Sequence, residues 1–135
     1  VRRLFELEIP EVADGTVKVK NVSREPGSRA KVSVYSEDAN VDPVGACIGP
    51  RGTRIAPVLA ELSGEKIDVI RYSEDPAEYV GEALSPAKVL SVEMENERTC
   101  RVRVAPEQLS LAIGKEGQNA KLAARLTGCK IDIKA

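Results

Sequence analysis

The stretch IGPRGTRI (48–55) is answered 65 positions later by IGKEGQNA (113–120). Each opens on an isoleucine and sets two residues between a pair of glycines. The flanks repeat as well. LSGEKIDVI (62–70) returns as LTGCKIDIK (126–134), offset by 64. Two matches in the same order, each closing its half, mark an internal duplication. A period near 65 is too long for a solenoid repeat, so the pattern describes two copies of one small domain, assigned to residues 1–74 and 75–135.

Working outward, both halves give the same order. In the first, TVKVKNV (16–22) and AKVSVYS (30–36) alternate with period two across a Pro-Gly turn and read as a hairpin. VDPVGACIG (41–49) suits a short helix with Asp42 as N-cap and Pro43 in its first turn. TRIAPVLAELSG (53–64) suits a longer helix ending at Gly64, and KIDVIRY (66–72) a strand. LFELEIPEVAD, before Gly15, supplies a leading helix. The second half gives a helix over 76–84, strands over 87–94 and 99–105, helices over 106–114 and 118–128, and a strand over 129–135. The fold class is therefore α+β: helix, strand, strand, helix, helix, strand, twice, each unit with a three-stranded sheet and helices packed on one face.

Composition narrows the chemistry. The chain has 135 residues, 42% of them apolar and 30% charged. No apolar run approaches the roughly 20 residues that span a bilayer, so no membrane role is expected. There is no His, which removes the commonest general base and metal ligand. Cys47, Cys100 and Cys129 stand far apart without a C-x-x-C pair, as suits buried apolar residues in a reducing cytosol. Neither glycine loop is a Walker or dinucleotide-binding motif. No enzyme, metal or cofactor is expected. The chain opens without Met and in mid-pattern, as a piece of a longer protein would.

The net charge of −1 hides an uneven distribution. Bases cluster around the glycine loops and on the preceding strands, while acids gather at 6–11, 74–82 and 93–97. A glycine break between two helices lets another backbone come close, because no β-carbon stands in the way. The helix N-terminus after it offers N–H groups and partial positive charge, and Arg51 or Lys115 adds a full cation. Such a loop suits a sugar-phosphate backbone. The apolar floor beside it would come from Ile48, Ile55, Ile67 and Val69, and from Ile113, Ala120, Ile131 and Ile133. Base edges would meet the backbone of the KIDV and KIDI strands, around Asp68 and Asp132. Arg54, Gln118, Asn119 and Lys121 follow the loops and would add side-chain contacts.

These residues resemble the KH domain: IGxxG between two helices, ending at a strand, with the leading helix of the prokaryotic type II form. The tandem is similar to the paired KH domains of NusA-type bacterial transcription elongation and termination factors. LFELEIPEVADGTVKVK, REPGSRAKV, VDPVGACIGPRGTRI and LSLAIGKEGQNAKLAARLTGCKIDI carry the likeness, which covers essentially the whole chain. KH loops clamp four nucleotides each, so two imply roughly eight nucleotides of single-stranded RNA. The RNA-binding set implied is Ile48, Gly49, Pro50, Arg51, Gly52, Arg54, Ile55, Ile67, Asp68 and Val69, with Ile113, Gly114, Lys115, Glu116, Gly117, Gln118, Asn119, Lys121, Ile131, Asp132 and Ile133.

The family implies a cytoplasmic, monomeric module that handles the nascent transcript. RNA polymerase would be reached through domains absent from this stretch. Ala120 replaces a larger aliphatic residue, and Glu116 puts an acid where phosphate should sit, so the first loop is expected to grip harder. Two alternatives share the fold: an interaction scaffold without RNA binding, and a single-stranded DNA binder.

Overall fold

The computed structural model describes all residues from Val1 to Ala135, in two compact units, Val1–Tyr72 and Ser73–Ala135. The first unit begins with helices α1 (Arg2–Glu8) and α2 (Pro10–Ala13), where the sequence suggests one leading helix. Pro10 explains the division. It has no N–H to continue α1 and starts α2 at its first position, after an extended Ile9. Strands β1 (Lys18–Glu25) and β2 (Arg29–Tyr35) pair antiparallel, with a bulge between Val19 and Asn21. Helix α3 (Pro43–Ile48), a tight loop over Gly49–Gly52 and helix α4 (Ala56–Glu61) lead to β3 (Lys66–Arg71).

Strand β3 lies parallel to β2, so the sheet order is β1-β2-β3 and β3 is an edge. Ala30, Val32 and Val34 alternate along β2 and are fully buried. Val32 and Val34 join Phe5, Ile9, Val17, Cys47, Ile55 and Val58 in one core. The leading helix thus contributes its largest side chain, Phe5, to the centre of the unit.

The second unit repeats this plan with α5 (Pro76–Ala83), β4 (Ser91–Asn96), β5 (Thr99–Arg103), α6 (Leu109–Ile113), α7 (Gln118–Thr127) and β6 (Lys130–Lys134). Its sheet runs β4-β5-β6, with β5 and β6 parallel and β6 at the edge. Tyr79, Val80, Ala83, Leu84, Cys100, Val102, Val104, Ala112, Leu122, Ala123 and Leu126 are buried.

Three local expectations shift. Helix α4 is half the length read from 53–64, because Pro57 must stand in its first turn, while Ser63 and Gly64 turn left-handed at its end. Strand β4 begins four residues later than expected, at Ser91, and the Lys88 N–H before it donates to the Gln108 side chain at 2.9 Å instead of to a strand partner. Asp42 occupies the N-cap position of α3 but makes no capping hydrogen bond. Its carboxylate leans over Gly45, where a β-carbon would lie 2.5 Å from Oδ2. Asp75 does cap α5, accepting from the Ala77 N–H at 3.1 Å. All three cysteines are buried and free. Burial pushes the Cys47 thiol up to about 12 and the Cys100 thiol up to about 11.

Candidate nucleic-acid interface

The two glycine loops have one geometry. Gly49 and Gly114 lie at φ 75°, ψ 171° and φ 80°, ψ 170°. Arg51 and Glu116 lie at φ 56°, ψ 28° and φ 58°, ψ 24°, in the left-handed region. Gly52 and Gly117 share φ 73°. Each loop is closed by a bond from its second glycine to its first: Gly52 N–H to Gly49 O, and Gly117 N–H to Gly114 O, both 3.1 Å.

The two glycines of a loop do different work. A β-carbon on Gly49 would lie 2.7 Å from Arg54 Cγ and 3.0 Å from Arg54 N. On Gly114 it would lie 2.8 Å from both Cβ and N of Asn119. The first glycine is therefore packed against the start of the next helix. A β-carbon on Gly52 or Gly117 would meet nothing closer than 3.9 Å or 3.7 Å. The second glycine leaves that side of the loop open to an outside molecule.

Apolar residues flank this opening. Ile48 and Ile113, the last residues of α3 and α6, are 37% and 38% exposed. Ile67, Val69, Ile131 and Ile133 are half-buried on the edge strands. Ile55 is buried and serves as core beneath. Ala120 takes its place in the second unit, which shortens that part of the floor. Leu111 is 43% exposed on α6, an apolar surface the sequence reading missed; Ala46 stands at the matching place in the first unit.

Of the polar candidates, Pro50, Arg51, Lys115, Glu116 and Lys121 are exposed at or beside the loops, and Gln118 is half-buried. Three others are spent inside the fold. The Asn119 amide is fully buried and donates to Ala112 O at 2.8 Å and Leu84 O at 3.1 Å, so it is not offered to a ligand. Arg54 pairs with Glu11 of α2 and donates to Ala46 O at 3.2 Å. The Asp68 carboxylate accepts from Arg29 and Lys31, each at 2.8 Å. Asp132 is exposed, 3.7 Å from Lys134. Helical and strand periodicity place these residues but do not show which partner takes each side chain. Glu11, in α2, is the partner of Arg54 that the sequence pattern does not reveal.

Paired three-stranded units, each with an IGxxG loop between two helices beside a parallel edge strand, define a tandem KH module. The chain belongs to the NusA-like KH domains: residues 1–72 match the NusA-like first KH domain and residues 76–135 the NusA-like second KH domain. It is 61% identical over its full length to the transcription termination/antitermination protein NusA of Halalkalibacterium halodurans, and 56% identical to that of Bacillus subtilis. It spans 36% and 37% of those proteins, so it matches about a third of their length. Among solved structures, the crystal structure of APE1850 superimposes with a TM-score of 0.63 at 26% identity, over 98% of this chain and 96% of that one.

Proposed function

We propose that this chain is the RNA-reading module of a transcription elongation, termination and antitermination factor. It grips extended single-stranded RNA, the nascent transcript, through its two IGxxG loops and the apolar surfaces beside them. The observation that carries this reading is the duplicated loop, with an open second glycine and an exposed isoleucine at its entry. Phosphates approach at Gly52 and Gly117, near Arg51 and Lys115. Bases rest on Ile48, Ile67 and Val69 and on Ile113, Ile131 and Ile133, with their edges toward the backbone of β3 and β6.

A strand at a sheet edge keeps one row of N–H and C=O groups without a neighbouring strand. That gives bases hydrogen-bonding partners independent of side chains, as the occupied Asp68 carboxylate requires. The function is binding, not catalysis, and its setting is the cytoplasm. No helix is long and apolar enough to cross a membrane. On this reading, contact with RNA polymerase would be made by parts of the longer protein outside these two domains.

The test is binding to a pool of random single-stranded RNAs about a dozen nucleotides long, with duplex RNA and single-stranded DNA as controls. The chain should select single-stranded RNA. Asp at positions 50 and 51, and at 115 and 116, should abolish binding and leave the circular dichroism unchanged. Unchanged RNA affinity in that variant would turn the reading toward a protein-interaction scaffold. Equal affinity for DNA would turn it toward a general single-strand binder.

A further inference from the structure

Residues 54 and 119 stand at the same place, five positions after the first glycine of their loops. They share no chemistry, yet they bridge the same parts. Arg54 Nη1 donates to Ala46 O in α3, the helix entering the loop, and pairs with Glu11 in α2 of the leading segment. Asn119 Nδ2 donates to Ala112 O in α6, again the entering helix, and to Leu84 O at the end of α5, again the leading helix. Both side chains run directly beneath the first glycine, as the distances from its absent β-carbon show.

We propose that Arg54 and Asn119 are positioning residues, each fastening an IGxxG loop to the leading helix of its unit, through Glu11 in one and the Leu84 carbonyl in the other. This rests on the RNA reading above and deepens it. A loop that must be ordered by its ligand loses affinity to that ordering; a loop tied down beforehand does not. The tie in the first unit is a half-exposed ion pair. In the second it is a buried amide between two carbonyls. Leading helices are thus part of the binding apparatus, although none of their side chains needs to touch RNA.

Glu11 gives a test in which charge and positioning predict opposite signs. Removing an acid near a phosphate site strengthens RNA binding if charge alone matters. In the 135-residue chain, Glu11→Ala should instead weaken single-stranded RNA binding, by about three- to tenfold. In the RNA-free protein, hydrogen exchange at the amides of residues 52–55 should quicken, while residues 117–120 stay as in wild type. Glu11→Gln keeps an oxygen for Arg54 and should restore slow exchange and full affinity. Unchanged exchange at 52–55 in Glu11→Ala, or tighter RNA binding, overturns the proposal. If exchange quickens but even the wild-type chain binds no RNA, the fastening stands and the RNA reading falls.

Discussion

Arg51 and Glu116 occupy the same left-handed position in their loops, within 2° in φ (56° and 58°), and carry opposite charges. Both are exposed, and on the proposed RNA reading each presents its charge to the phosphate backbone. Arg51→Ala should weaken single-stranded RNA binding several-fold and flatten the dependence of log K on log salt by about 0.7, the share of one phosphate contact. Glu116→Lys should strengthen binding and steepen that dependence. The strain of a left-handed side chain is common to all four residues, so stability should not change. Lys115→Ala should do less than Arg51→Ala, because Glu116 beside it already offsets the charge. A larger loss for Lys115→Ala in a salt titration would reverse the ranking of the loops.

The glycine pairs separate folding from binding. Gly49 and Gly114 have backbone angles that essentially only glycine adopts, and a side chain there runs into the next helix. Gly49→Ala should cost about 2 kcal/mol or more, seen as an earlier urea midpoint. Gly52→Ala meets only the left-handed penalty, about 1 kcal/mol, with open space around the new methyl. If the proposed RNA path is right, it should nevertheless lose the greater share of RNA affinity, because the methyl fills the open side of the loop. Equal binding losses at 49 and 52, once corrected for unfolded protein, would remove the distinction.

Asp68 anchors the first sheet. Lys31 is fully buried, and burial lowers its pKa against the pull of the Asp68 carboxylate 2.8 Å away. Arg29 shares the same carboxylate. Asp68→Asn removes the carboxylate charge that lies 2.8 Å from the buried Lys31 ammonium, which costs about 3 kcal/mol at neutral pH. Because the folded protein then holds Lys31 protonated only at a cost, the loss should shrink as the pH rises through the lowered lysine pKa. Chemical denaturation at pH 7 and pH 10 measures both effects. A variant as stable as wild type at pH 7 would show that the Asp68 charge is not what holds Lys31 in the core.

Most of the architecture is legible in the sequence because burial sets the period. The Ala30, Val32, Val34 alternation and the two IGxxG breaks require the elements that form. Ends are less legible: Pro10 splits the leading helix, and Lys88 gives its N–H to the Gln108 side chain before β4 begins, effects of single residues on a pattern that otherwise continues. Within the site, apolar and loop residues stay where periodicity puts them. Polar residues are placed as well, but their partners are not legible, since Arg54, Asp68 and Asn119 find theirs 43, 39 and 35 positions away in sequence. Such pairings follow from tertiary contact, which no local spacing encodes.

Glu65 stands where the second copy has Cys129, and its role is confined to the first unit. Its carboxylate is buried and accepts from Arg24 Nε and Nη2, both at 2.9 Å, and from the Gly27 N–H at 2.9 Å. The Arg24 bonds hold its pKa below the ordinary value; burial opposes them, and the Gly27 bond adds to them. The carboxylate thus ties the β1–β2 turn to the start of β3. A carboxyl whose pKa is lowered by folding stabilises fully above its unfolded value, about 4.3, and that contribution fades as the pH falls through the lower folded value. Glu65→Gln should therefore lower the melting temperature at pH 7. The gap between variant and wild type should hold down to about pH 5 and then narrow toward pH 3. The difference between variant and wild type, and not either melt alone, isolates Glu65. Thermal melts across that range decide the matter: a gap that stays constant would mean the stabilisation comes from shape and not from charge.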